Sequence, residues 1–128
     1  MTIIGEGDEA IVLTPAWVSY EPIISMAGGK ITRVDLEPYG FQLAPAMNKL
    51  KETISPRTKL IVINSPSNPT GAVYSREALE GVRDLVVDND VMVISDEIYK
   101  EITYIPEYTS IGSVEGMEDR TVTVNGFS

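Results

Sequence analysis

Three short stretches of this 128-residue chain carry residues whose types and spacing could do chemistry. The first is Val91-Met92-Val93-Ile94-Ser95-Asp96-Glu97-Ile98-Tyr99. Its four apolar residues, mostly β-branched, read as a strand buried on both faces. The strand stops at two acids, with a tyrosine three residues past the first of them. A partly shielded carboxylate at such an end needs a cationic partner. Equally, Asp96 could cap a short helix beginning at Glu97. Taken alone, the stretch leaves both readings open.

The second stretch, Ser65-Pro66-Ser67-Asn68-Pro69-Thr70-Gly71, follows the continuous apolar strand Lys59–Asn64 and is dense in turn-fixing residues. In the third, Trp17 comes just after the strand Ala10–Thr14, which Pro15 stops. Trp17 is either a core tryptophan or an aromatic plate for a flat ligand. In an open α/β sheet, ligands bind in the crevice beyond the carboxyl ends of the parallel strands. If the three strand ends share that rim, an aromatic plate, an amide, a carboxylate and a phenol surround one crevice. Such a set suits a flat, nitrogen-containing aromatic ligand: the carboxylate holds a protonated ring nitrogen by a charge-assisted hydrogen bond. The amide and the phenol bond an oxygen on the ring.

The elements needed to bring these residues together are legible in the chain. After Ala10–Thr14, a helix reaches Met26-Ala27 and ends at Gly28-Gly29. Lys30–Leu36 alternates like a strand nearer the sheet edge, and Glu37-Pro38-Tyr39-Gly40 is a turn. Pro45 suits the first turn of a helix with Met47, Leu50 and Ile54 on one face, although Ala44 offers no side-chain cap. Ser75 caps another helix, with Glu77 and Glu80 in its first turns and Leu79, Val82 and Val86 as its buried stripe. Thr121–Asn125 is the last strand. Five strands alternating with helices predict an α/β fold: a mostly parallel sheet with right-handed crossovers and helices on both faces, in three αβα layers.

Composition narrows the function classes. The net charge is −9 and the acids are scattered, which disfavours nucleic acid or an anionic membrane as partner. With no cysteine and no histidine, disulfides, thiolate metal sites and imidazole-based triads are excluded, and an intracellular, cytoplasmic home is expected. No apolar run approaches a membrane span of roughly 18 residues, and the first residues do not read as a signal peptide. Gly5-Glu6-Gly7-Asp8-Glu9-Ala10 matches the letters of a dinucleotide fingerprint. It precedes a strand instead of following one and carries three acids, so it reads as a turn.

Four segments together resemble the fold-type-I, pyridoxal-phosphate-dependent aminotransferases of class I/II, closest to the bacterial and archaeal aspartate aminotransferase branch. They are Thr14–Tyr20, Asn64–Gly71, Ile94–Tyr99 and Val124–Ser128, in the family's order and spacing. The resemblance covers the whole chain, and the chain corresponds to the central part of the family's large, cofactor-binding domain. It implies that Asp96 pairs with the pyridinium nitrogen, that Asn68 and Tyr99 bond the ring's phenolic oxygen, and that Trp17 stacks on the ring. It implies further that Ser128 lies near the phosphate; in the family, the lysine forming the Schiff base with the cofactor directly follows the segment that ends here at Ser128. The resemblance also implies cis bonds before Pro15 and Pro69, amino-acid and 2-oxo-acid substrates, and a homodimeric parent enzyme.

The family's glycine-rich phosphate turn and its small domain, with the arginine that binds the substrate carboxylate, have no counterpart in these 128 residues. The chain alone is therefore expected to be inactive and to bind pyridoxal phosphate weakly or not at all. Two alternatives stand beside the aminotransferase reading. One is a lyase or synthase of the same fold; the other is a non-enzymatic, ligand-sensing module.

Overall fold

A computed structural model describes residues 3–126. Its five strands are β1 (Glu9–Thr14), β2 (Lys30–Asp35), β3 (Thr58–Asn64), β4 (Met92–Asp96) and β5 (Thr121–Val124). All neighbours pair in parallel, in the order β2-β1-β3-β4-β5. The helices are α1 (Tyr20–Met26), α2 (Met47–Thr53) and α3 (Arg76–Asn89). The expected strands are all present, and Lys30–Asp35 is indeed an edge strand.

This order follows from handedness. Right-handed crossovers put the connection on one face when the chain steps one way along a sheet, and on the opposite face when it steps back. From β1 to β2 the chain steps outward; every later crossover runs the other way. Accordingly α1 packs through Ile24 on the face formed by Ala10, Val12, Leu60 and Val62. The opposite face, with Ile11, Leu13, Ile61, Ile63 and Val93, is covered by Leu50 of α2, by Leu79, Val82 and Val86 of α3, and by Ile111 and Met117 of the last connection.

Coverage is therefore unequal. Met92 and Ile94 are only half-buried, and Val122 and Val124 are exposed on the α1 face. The expectation that Val91–Asp96 is buried on both faces fails on that side, because a single helix covers it.

Local departures have local causes. Pro45 sits in a 3-10 turn, Ala44–Ala46, that leads into α2. The segment after Pro15 stays irregular, so α1 begins only at Tyr20, with no side-chain cap from Ser19. Ser75 caps α3 as expected, its hydroxyl accepting from Ala78 N–H at 3.2 Å. Gly5–Asp8 is a turn closed by two Gly5–Asp8 hydrogen bonds, in keeping with its sequence context. Among the described residues, no helix is long and apolar enough to cross a membrane.

Candidate functional site

The topology sets the site. The direction of travel reverses between β1 and β3, and it is outside such a switch point that open α/β sheets form their ligand crevice. The residues beyond the carboxyl ends of β1, β3 and the adjoining β4 meet there. Trp17, Asn68, Asp96 and Tyr99 line one crevice of about 290 Å³, together with Tyr20, Asn64 and Val124. Four of the five site residues expected from sequence are thus brought together; Ser128 lies outside the described residues.

Asp96 ends β4, in register with Asn64 on β3 and Val124 on β5. Its two oxygens have different partners: Oδ1 accepts the Ile98 N–H at 3.2 Å, and Oδ2 accepts the Tyr20 hydroxyl at 2.6 Å. The first of these is an Asx turn, not a helix cap. No α-helix starts at Glu97, and the next element is a single 3-10 turn, Lys100–Ile102. The capping reading of Asp96 is therefore corrected: a carboxylate oxygen bonded two residues on supports a turn, which is the competing local structure for Asp.

The paired acids part company. Glu97 points away from the crevice and is fully buried, accepting hydrogen bonds from the hydroxyls of Ser95 and Ser110. Burial and the charge of Glu97 push the Tyr108 phenol well above its usual pKa.

Asn68 and Tyr99 face each other across the crevice, with Asn68 Nδ2 3.4 Å from the Tyr99 hydroxyl. At that length the contact is weak, and both groups keep donor capacity for a third atom. Asn68 itself is fixed from behind. Asn64 Oδ1 accepts the Asn68 N–H at 2.7 Å, while Asn64 Nδ2 donates to the Asp96 carbonyl at 3.0 Å. Cis peptide bonds precede Pro15 and Pro69, as the resemblance implied, and also Pro66. Trp17 is 44% exposed, and Tyr20 stands edge-on to its ring at 5.4 Å and 81°.

Two site residues escaped the sequence reading, Tyr20 and Asn64. Tyr20 sits three residues after Trp17, a spacing that places both on one side of the helix entrance. Asn64 is the polar residue that ends an otherwise apolar strand. Each offered a signal, though neither signal names its partner. Burial and the nearby Asp96 push the Tyr20 phenol far above the usual tyrosine value, so it remains a donor. Among the described residues, no lysine or arginine lines the crevice, and no cluster of acids could hold a metal ion.

The family model for aminotransferase class I and II matches residues 1–128, and the chain belongs to that family. It is 46% identical to the aspartate/prephenate aminotransferase of Thermus thermophilus over 97% of this chain and 31% of that protein. With the aspartate aminotransferase of Pyrococcus abyssi the identity is 44%, over 96% of this chain and 32% of the relative. The solved Thermus thermophilus aspartate aminotransferase with maleate superposes with a TM-score of 0.89 at 46% identity, covering 97% of this chain and 32% of that one. The N-succinyldiaminopimelate aminotransferase of Mycobacterium tuberculosis has the same TM-score, 0.89, at 33% identity over 96% of this chain and 32% of its own. The chain thus spans about a third of the length of the relatives it matches.

Proposed function

We propose that the chain is the central part of the large domain of a pyridoxal-phosphate-dependent aminotransferase, and that it holds the cofactor ring. On this reading the parent protein moves an amino group between an aspartate-like amino acid and a 2-oxo acid. The observation that carries the proposal is the convergence of Asp96, Asn68, Tyr99 and Trp17 on one crevice at the switch point.

The donor set fits a pyridoxal ring. Both Asp96 oxygens are held by neutral donors, which bring no competing positive charge and leave lone pairs for a ring N–H. The facing Asn68 amide and Tyr99 hydroxyl can both donate to one phenolic oxygen. The exposed Trp17 ring lines the same crevice, where a flat ring could stack on it. When bound, pyridoxal phosphate supplies an electron sink for a carbanion next to the amino nitrogen. The residues of this chain would orient the ring and keep its nitrogen protonated.

Ser128 near the phosphate, and a cofactor-carrying lysine directly after it, remain part of the proposal, as do a homodimeric parent and a cytoplasmic location. Relatives of similar likeness are named for aspartate and for aromatic amino acids, the latter an aminotransferase of Thermococcus litoralis at 39% identity. The substrate side chain is accordingly expected to be read outside this segment.

The test uses the full-length polypeptide that carries this sequence, supplied with pyridoxal phosphate, aspartate and 2-oxoglutarate. Glutamate should form, and Asp96→Asn should lower the rate by about 10²–10³-fold, the usual cost of removing one preorganised electrostatic group. Elimination or decarboxylation without glutamate would overturn the transfer reaction in favour of a lyase or synthase. The 128 residues alone should give no sustained glutamate; turnover by them would overturn the view that they are catalytically incomplete.

A further inference from the structure

Asp96 is the group the proposed chemistry depends on most, and a carboxylate on a strand end is free to turn about two torsions. What stops it is a residue from far away in the fold. Tyr20 opens α1, over the end of β1, whereas Asp96 ends β4, with β3 lying between those strands. Two strand spacings amount to about 9–10 Å, a gap that only a long side chain can close. Tyr20 closes it: its hydroxyl donates to Asp96 Oδ2 at 2.6 Å, while its ring stands edge-on to Trp17 at 5.4 Å.

We propose that Tyr20 is the positioning residue of this site, fixing the Asp96 carboxylate for the ring nitrogen and bracing Trp17 against the ring face. The inference rests on the reading that the crevice holds a pyridoxal ring, and it concerns a residue which need not touch that ring.

The chemistry of the donor matters. A lysine or arginine at this position would also fix Asp96, but its charge would compete with the pyridinium for the carboxylate. A phenol is neutral, and burial beside Asp96 holds its proton in place, so it orients the carboxylate without neutralising it. With Ile98 N–H on Oδ1 and Tyr20 on Oδ2, each oxygen receives one fixed donor. The plane of the carboxylate is then defined before any ligand arrives, which is the preorganisation a charged contact needs.

The variant that separates this role from packing is Tyr20→Phe, which keeps the ring against Trp17 and removes the hydroxyl. In the 128-residue chain, three-bond couplings should report a single Asp96 side-chain rotamer in the wild type and averaging in Tyr20→Phe. As an independent check that leaves Tyr20 in place, Asp96→Asn should shift the Tyr20 hydroxyl proton resonance. If Asp96 stays in one rotamer without the hydroxyl, the inference fails.

The functional arm uses the full-length polypeptide and two probes: pyridoxamine 5′-phosphate, and its analogue with C–H in place of the ring nitrogen. The wild type should prefer the nitrogen-containing probe. Tyr20→Phe should cut that preference about tenfold, the scale of one hydrogen bond to a charged group, while affinity for the analogue stays the same. Equal weakening of both probes would reduce Tyr20 to a structural residue. No preference in the wild type would instead overturn the ring-nitrogen role of Asp96, and the coupling data would still report whether Tyr20 holds it.

Discussion

Asn64 is the most informative residue to perturb, because its side chain makes two bonds that tie separate strand ends to the site. Its amide donates to the Asp96 carbonyl at 3.0 Å and accepts the Asn68 N–H at 2.7 Å, and the residue is only 8% exposed. Asn64→Ala removes both. The Asp96 carbonyl retains the Ser65 N–H at 3.3 Å, so its loss is partial. The Asn68 N–H loses its acceptor in a part-buried position, which adds the cost of an unmet donor. At about 1 kcal/mol for each lost bond, with up to about 1 kcal/mol for the unmet donor, the expected loss is about 2–3 kcal/mol.

Urea unfolding of the 128-residue chain measures this directly. With a slope of about 1.5–2 kcal/mol per molar for a chain of this size, the midpoint should fall by about 1–2 M at unchanged slope. Amide exchange at Asn68 should accelerate more than at the core positions of β3. Asn64→Asp provides a control whose sign is fixed. At neutral pH its carboxylate still accepts the Asn68 N–H but cannot donate and faces the Asp96 carbonyl oxygen, so the cost falls on the Asp96 contact while Asn68 stays held. Folding then disfavours the charged form and raises the folded-state pKa, so protonation at acid pH should recover part of the loss. A cost below about 0.5 kcal/mol for Asn64→Ala, within the range of indifferent surface changes, would falsify this account of how Asn68 is held.

Two further outcomes follow from the rest of the fold. Glu9 is buried at the amino end of β1, where Ser55 donates to Oε2 at 2.6 Å and Arg57 donates to Oε1 through Nη2 at 2.8 Å. The Ser55 hydrogen bond first, and then Arg57, lower its pKa from the ordinary 4.5. The stability this supplies is present above pH 4.5 and lost as pH falls through the lowered folded value. Glu9→Gln should cost about 1–2 kcal/mol at pH 7 and flatten the acid limb of a stability-versus-pH curve. Ser75→Ala should cost about 1 kcal/mol by thermal or urea denaturation, because it strips the acceptor from Ala78 N–H at the start of α3.

What could be read from the sequence depended on how local the signal was. The strands are short apolar runs bounded by prolines, glycines and acids, so five strands and the α/β class were visible without contacts. Asp96, Asn68 and Trp17 could be singled out because a polar or aromatic residue just past a buried strand is out of place there unless it has a task. The partners were harder to see. Asp96 and Tyr20 are 76 residues apart, and nothing in the helix-like stretch around Tyr20 specifies that its hydroxyl crosses β3 to reach β4. The capping reading of Asp96 was likewise a local inference, and the Asx turn at Ile98 prevailed over it. Burial of β4 was overestimated for the opposite reason: an apolar run records what a sheet face can be packed with, not which crossover covers it.

The crevice and the open sheet face have one topological cause. Because only the β1–β2 connection steps toward the β2 edge, the strand order reverses between β1 and β3 and opens a gap there for a ligand. Among the described residues, the same step makes α1 the one helix of its face, so Ile94, Val122 and Val124 are left without a covering helix beside it. Parallel sheets are ordinarily covered on both faces. Here the uncovered stretch begins at the crevice: Trp17, Tyr20, Asp96 and Val124 line both the ring-sized cavity and the apolar groove that runs from it across the α1 face. Tyr20 therefore stands where two requirements meet. Its ring closes the edge of an apolar surface and its hydroxyl reaches the carboxylate, a combination that phenylalanine, serine or lysine would each satisfy only in part. That double constraint is the reason a tyrosine, and not a stronger donor, suits the first position of α1.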